Sequence, residues 1–291
     1  MTDDRTGRLL AVNGVELWVR EFGASGDPGV VLVPGASSPS DWWDVELCEA
    51  IAAGGYRVLR YDLRDTGQST TRPPGEADYT GDDLVDDLAG VITGAGLSPA
   101  HVIGISLGGG LAQQLAIARP ELIRSLTLLS TSPGGPGSEG LPEMSPALAA
   151  SFEHEQPPTD WTDRDAVFRR TLADEVLFGG SIPVDEARVR RISDTAFDRS
   201  IDLSAGSNHW AIPSASGTRE ELGRITAPTL VVHGTEDPLF PLGHGEALAR
   251  EITGARLLPV AGLGHQFPPP ETWSLLVPAL LEHLRAADGR N

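Results

Sequence analysis

The sequence predicts an α/β fold, a mostly parallel central sheet flanked by helices and interrupted by a helical cap insertion. Three observations predict it. From residue 29 onward, apolar β-type runs alternate with amphipathic helical stretches. That alternation stops between Thr131 and Arg224, where helical stretches follow one another without a clear strand. Finally, Val102-Ile103-Gly104-Ile105-Ser106-Leu107-Gly108-Gly109 sets a G-x-S-x-G pattern between a strand and a helix.

At 291 residues the chain suits one α/β domain carrying an insertion, and a hydrophobic content of 40% supplies a sizeable core. The expected organisation is core over residues 1–132, a helical cap over 133–224, and the remainder of the core over 225–291. Asn13-Gly14 between alternating apolar residues signals a hairpin of strands 8–12 and 15–20, expected at one edge of the sheet. The continuous apolar run 29–33 reads as a buried parallel strand. A helix is expected over 41–53, a strand over 56–61, an irregular loop over 62–74 and a helix over 80–95. The G-x-S-x-G strand follows, then a helix from Gly109 stopped by Pro120, and a strand over 125–130. Residues 134–138, Gly-Gly-Pro-Gly-Ser, look like a hinge into cap helices near 146–154, 163–177 and 185–198. Strands return at 228–234 and 255–260, with helices over 243–252 and 271–285.

The net charge of −19 disfavours nucleic acid as a partner, because phosphate is repelled. No apolar run is long enough for a membrane span. The polar, acidic start has no apolar signal-peptide core, so a cytoplasmic location is expected. The single cysteine, Cys48, excludes an internal disulfide and is expected to be buried and inert. All 22 basic residues are arginine, which excludes Schiff-base and Ser–Lys chemistry. No His/Cys/Asp cluster has metal-ligand spacing, so neither metal nor cofactor is expected. Gly108-Gly109-Gly110 lacks the lysine and spacing of a phosphate loop.

A serine at the apex of a strand-to-helix turn is exposed for attack. The turn needs glycine at 104 and 108, where side chains would collide with the strand and helix. It also aims the Leu107 N–H, at a helix N-terminus, to where an oxyanion would form. Two further strands end in chemistry: 229–233 runs into Gly234-Thr235-Glu236-Asp237-Pro238, and 257–260 runs into Ala261-Gly262-Leu263-Gly264-His265. Ser106, Asp237 and His265 thus all follow the C-terminal ends of parallel strands, where open α/β sheets build their sites. His265 would exchange a proton with Ser106, and the acid would fix its tautomer. Glu236 competes with Asp237 for the acid's role.

The order Ser…Asp…His and the pattern over nearly the whole chain resemble the α/β-hydrolase superfamily. Residues 60–72, Arg-Tyr-Asp-Leu-Arg-Asp-Thr-Gly-Gln-Ser-Thr-Thr-Arg, are similar to a segment of aclacinomycin methylesterase-like serine hydrolases. The resemblance implies an α/β-hydrolase fold, Asp237 rather than Glu236 as the acid, and the Ala36 backbone N–H as second oxyanion donor. Pro34-Gly35 stands where the family usually has His-Gly, which reshapes the wall of the hole but leaves a main-chain donor in place. The resemblance further implies a carboxylic ester hydrolase acting through an acyl-enzyme, with the methyl ester of an anthracycline-type polyketide as the preferred substrate, in antibiotic biosynthesis. C–C, lactone or amide hydrolysis can use the same residues, and a small-molecule receptor or a non-hydrolytic cyclase can use the same fold. Serine at position 106 argues against epoxide hydrolase and haloalkane dehalogenase chemistry, which needs a carboxylate nucleophile.

The expected partner is a largely apolar small molecule under the cap, with the protein a monomer or homodimer. Phe152, Trp161, Phe168, Phe178, Phe197 and Trp210 are the candidates to line its pocket, about half of them being expected to pack the cap instead. The histidines 101, 233, 244 and 283 are read as structural, and the cap histidines 154 and 209 as surface or core residues. Arg64 and Asp65 are read as a structural ion pair. Removing the cap is expected to leave the serine turn reactive to small acylating agents.

Overall fold

A computed structural model describes residues 7–134, 139–153, 158–217 and 219–289. Its strands are β1 (Arg8–Val12), β2 (Val15–Phe22), β3 (Gly29–Val33), β4 (Arg57–Tyr61), β5 (Ala100–Ile105), β6 (Ile123–Leu129), β7 (Thr229–Gly234) and β8 (Arg256–Val260). They form one sheet in the order β1-β2-β4-β3-β5-β6-β7-β8. The pairs β1·β2 and β2·β4 are antiparallel, and every pair from β4·β3 to β7·β8 is parallel. The hairpin therefore occupies an edge, as Asn13-Gly14 predicted. Asn13 and Gly14 both carry positive φ, at 45° and 75°, as its tight turn requires.

The central strands are buried on both faces, and the two-residue period sorts their side chains. Val31, Val33, Val102, Leu126 and Leu128 enter one core, under α2 (Gly81–Gly94) and α3 (Leu107–Ala118). Val30, Leu32, Ile103, Ile105 and Leu129 enter the other, under α1 (Val45–Ala52) and α8 (Pro270–Ala287). Each such aliphatic side chain contributes about 1.5–3 kcal/mol on burial. The start of α2 is fixed locally: Thr80 and Asp83 form a capping box, and Leu84, Leu88, Val91 and Ile92 give the helix its buried face.

Two elements differ from the sequence reading. The helix expected over 41–53 is a 3₁₀ turn, Ser40–Trp42, followed by α1 from Val45. Distant partners break it: Asp41 and Asp44 are buried and bind arginines of the insert, while Trp43 fills the core. The helix expected from Gly109 begins at Leu107, because the chain turns into it directly after Ser106.

Between β6 and β7 lie α4 (Pro146–Glu153), α5 (Arg164–Phe178) and α6 (Glu186–Arg199), then 3₁₀ segments Leu203–Trp210 and Arg219–Arg224 that the sequence reading did not anticipate. Asp163 caps α5, and Asp185 caps α6 by accepting the N–H groups of Ala187 and Arg188. Arg188 binds Asp44 at 2.8 Å, while Arg199 binds Asp41 and Asp62 at 2.7 Å each. These buried pairs clamp α6 to the sheet loops. Residues 135–138 of the expected hinge and His154 lie outside the described residues. The remaining helix, α7 (Gly243–Glu251), packs on β7 and β8.

Candidate active site

Ser106 follows β5 directly and has φ 51° and ψ −118°, a conformation rare for a residue with a side chain. The surroundings hold it there. Its N–H donates to Leu129 O at 3.0 Å, and its carbonyl accepts from Gly110 N–H at 3.1 Å and Thr131 Oγ1 at 2.8 Å. The glycines on either side are sterically required: a Cβ at Gly104 would stand 2.3 Å from Gly108 O, and one at Gly108 2.5 Å from Pro34 O. Both clashes are with backbone, which cannot rotate away.

His265 Nε2 lies 3.0 Å from Ser106 Oγ, and its Nδ1 lies 2.9 Å from Asp237 Oδ2. Asp237 is buried, and its other oxygen accepts the N–H groups of Leu239 at 2.9 Å and Phe240 at 2.8 Å. With a carboxylate at Nδ1, the imidazole carries its proton there and turns a lone pair toward Ser106. Glu236, the rival carboxylate, points elsewhere and accepts from Ser181 Oγ at 2.9 Å.

The loop after β3 runs beside the serine; a Cβ at Gly35 would lie 3.5 Å from Ser106 Cβ. Among the described residues, the N–H groups of Ala36 and Leu107 have no intramolecular acceptor. They are the two donors expected for an oxyanion. The next N–H along, that of Ser37, is taken by His209 Nδ1 at 2.9 Å.

The insert grips the His265 loop. The His265 N–H donates to Phe178 O at 2.8 Å, and Ile182 N–H donates to Gly262 O at 3.2 Å. Gln266 Nε2 donates to the Glu175 side chain at 3.1 Å. Glu175 is half-buried, and desolvation raises its pKa, with Arg188 pulling the other way. Backbones touch here, since a Cβ at Gly264 would stand 2.4 Å from Gly179 C and Gly180 N.

Of the six candidate pocket aromatics, the structure brings Phe152, Phe178 and Trp210 together. Phe152 lies 6.4 Å from both Phe178 and Trp210, and Phe178 lies 6.0 Å from His265. Phe240, absent from the sequence-based set, meets His265 edge-on at 5.3 Å. Its signal was available, three residues past Asp237. The other three candidates make no ring contact with this cluster among the described residues. Phe168 and Phe197 lie under Arg190 and Arg164, in cation–π contacts between α5 and α6, and serve insert packing. Trp161 is exposed ahead of α5.

The histidines 101, 233, 244 and 283 bond within the fold. His101 is buried between Ser125 and Asp288, and burial lowers its pKa to about 4. His233 bonds Phe240 O at 2.7 Å, His244 bonds Ser132 Oγ and Pro142 O, and His283 bonds Leu126 O. The expected Arg64–Asp65 pair does not form. Arg64 binds Asp87 at 2.7 Å, and Asp65, with φ 62°, accepts Tyr79 O–H at 2.6 Å and Asn208 Nδ2 at 2.8 Å. Adjacent residues on a turned backbone diverge, so sequence adjacency did not make them partners. Cys48 is buried and in no disulfide, and its Sγ–H donates to Trp43 O at 3.7 Å. Among the described residues, no three His, Cys, Asp or Glu side chains converge as metal ligands would, and no helix is long and apolar enough to cross a membrane.

Comparison with known proteins bears on the family and the fold. The chain is 30% identical to rhodomycin D methylesterase DnrP of Streptomyces peucetius, over 96% of this chain and 98% of the relative. It is 31% identical to rhodomycin D methylesterase DauP of Streptomyces sp. (strain C5), with the same coverage. A meta-cleavage product hydrolase from Pseudomonas fluorescens IP01 superposes with a TM-score of 0.73 at 20% identity, covering 97% of this chain and 98% of that one, and speaks to the fold alone. Residues 28–268 match the family described as the alpha/beta hydrolase fold, and the chain belongs to that family.

Proposed function

We propose that this protein is a serine ester hydrolase that works through an acyl-enzyme, and that its substrate is a methyl ester on a polyketide-type scaffold. One observation carries the reading: Asp237, His265 and Ser106 form a continuous hydrogen-bonded chain beside two backbone N–H groups without acceptors. In the first step Ser106 Oγ adds to the ester carbonyl carbon, and His265 Nε2 takes its proton. The carbonyl electron pair moves onto oxygen, which the Ala36 and Leu107 N–H groups receive; one such donor is worth roughly 10²–10³ in rate. The tetrahedral species then collapses. The C–O bond to the methoxy group breaks, His265 returns the proton, and methanol leaves. Water repeats the sequence at the acyl-enzyme, giving the free acid and restoring the Ser106 hydroxyl. Asp237 keeps the imidazole in the required tautomer and offsets its transient positive charge.

The substrate class rests on two supports. Phe178 and Phe240 lie against His265, and Phe152 and Trp210 continue the ring contacts from Phe178, apolar surface suited to a flat, bulky scaffold. Both full-length relatives are named as methylesterases of rhodomycin D, an ester chemistry this site can perform.

The test is intact-mass labelling with a fluorophosphonate, followed by methanol release from methyl esters of aromatic polyketides. Wild type is expected to take one adduct and Ser106→Ala none, with methanol release abolished in the variant. Methanol release that survives Ser106→Ala would sink the mechanism. Labelling without methanol from any such ester would retain the nucleophile and remove the proposed substrate.

A further inference from the structure

We propose that His209 is a positioning residue for the oxyanion hole: it captures the Ser37 N–H and so leaves the Ala36 N–H turned toward Ser106. The proposal rests on the serine-hydrolase reading of the site. It starts from strain. Ser37, in the loop after β3, has φ 57°, a backbone conformation unfavourable for a non-glycine residue that needs an external hold.

The hold comes from the insert, through the 3₁₀ segment Leu203–Trp210. His209 Nδ1 accepts the Ser37 N–H at 2.9 Å. Ser37 Oγ donates to Gly206 O at 2.7 Å and accepts from Trp210 Nε1 at 3.0 Å. Gly206 lets the two backbones meet, since a Cβ there would stand 3.0 Å from Ser37 Cα. On its other side, His209 Nε2 lies 2.8 Å from Arg64 O. A carbonyl only accepts, so Nε2 carries the ring proton and Nδ1 presents its lone pair. His209 is only 7% exposed, and burial holds it in this neutral form. Its tautomer is set by a carbonyl 145 residues away in sequence.

The consequence lies one residue upstream. Of the successive N–H groups in this loop, His209 removes that of Ser37 and leaves that of Ala36 without an acceptor. With both ring nitrogens occupied, His209 acts on the reaction only through Ser37. The segment has its own anchors in Asn208, which binds Asp65 Oδ2 at 2.8 Å and Gly75 N–H at 2.7 Å, so it stays docked when His209 is replaced.

The test separates the two ring nitrogens. His209→Asn places a carbonyl oxygen near the Nδ1 position and keeps an acceptor for Ser37. His209→Gln reaches the Nε2 position and keeps a donor for Arg64 O, but loses that acceptor. His209→Phe keeps neither. The readouts are kcat and KM on p-nitrophenyl butyrate, the rate of fluorophosphonate labelling, and the melting temperature. His209→Phe and His209→Gln are expected to lose about 10²-fold in kcat with KM within about twofold, labelling slowing in parallel. His209→Asn is expected to recover kcat to within about tenfold of wild type. Asn and Gln variants equally slow, a loss confined to KM, or a loss that simply tracks melting temperature would each overturn the proposal. Gly206→Ala presses on Ser37 without removing a hydrogen bond and tests the same point if the His209 variants do not fold; unchanged kcat there overturns it. Wild-type protein that never reacts with the phosphonate overturns the hydrolase reading and this proposal together. Normal Ser106 labelling in every variant overturns this proposal alone.

Discussion

Ser106 occupies a backbone conformation that its neighbours enforce, and the surrounding glycines differ in how far they can change. Gly104 and Gly108 face backbone at 2.3 Å and 2.5 Å, so Gly104→Ala is expected to destabilise the protein by several kcal/mol or to prevent folding. Gly110 has open space where its Cβ would stand and lies inside α3. Gly110→Ala is therefore expected to stabilise by about 0.5–1 kcal/mol. Urea unfolding of the two variants checks both, and a Gly104→Ala protein as stable as wild type would remove the steric account. At Asp237 the same scale predicts a kinetic effect. Asp237→Asn keeps the shape but offers His265 the wrong partner, and kcat is expected to fall roughly 10³–10⁴-fold while the fold persists. The glycine constraint was legible in the sequence, because a strand, a tight turn and a helix within eight residues leave no room for side chains. The choice between Glu236 and Asp237 was not legible from local pattern. It depends on which carboxylate the turn after β7 aims at His265, and Glu236 is turned to Ser181.

The insert and the sheet are joined by buried charge. Arg199 reaches from the end of α6 to Asp41 and Asp62, with each of these side chains under 5% exposed. Burial alone would raise the Asp62 carboxyl, but Arg199 and the hydrogen bonds from Ser40 and Gln68 hold it below the usual range. Arg199→Met would leave two buried carboxylates without their cation, at an expected cost of about 3–5 kcal/mol, measurable by denaturant unfolding. A second junction lies at the backbone, where the end of α5 binds the His265 loop. Gly264→Ala should push that loop off Gly179 and Gly180 and lower kcat more than about tenfold, while circular dichroism stays native. An unchanged kcat would show that the contact is dispensable. The same junction revises the expectation that the serine turn stays reactive without the cap. Removing the insert also removes Phe178 O from His265 and His209 from Ser37, so small acylating agents should lose reactivity as well.

At the scale of the whole molecule, the buried histidines are expected to lower stability in acid. Burial lowers the pKa of His101, His209, His233, His244 and His283, that of His101 to about 4. Unfolded histidine titrates near pH ~6.5. Below that pH the unfolded chain binds protons that the folded chain refuses, so stability is full above it and declines as pH falls toward the folded values. Asp62, held low by Arg199, acts in the same direction at lower pH, while Asp174 and Glu175, raised by burial, oppose it. The melting temperature is expected to fall between pH 7 and pH 5. His101→Gln should lie below wild type at pH 7 and converge on it with acidification, since His101 alone accounts for about 3 kcal/mol at most by pH 4. Parallel melting curves for the two proteins would remove His101 from this account.

The sequence by itself determined the strands, most helix spans, the edge hairpin, and the presence of Ser106, Asp237 and His265 at strand ends. Those features are local: a two-residue apolar period, a glycine pair around a serine, and a chain that must turn where an apolar run stops. The tertiary structure alone decided that Arg64 serves Asp87, that Asp41 and Asp44 interrupt a helix to meet Arg199 and Arg188, and that Phe168 and Phe197 pack the insert. It alone brought His209 to Ser37, 172 residues away. A side chain's partner depends on its direction in space and on what the distant chain presents there, and no local period encodes either.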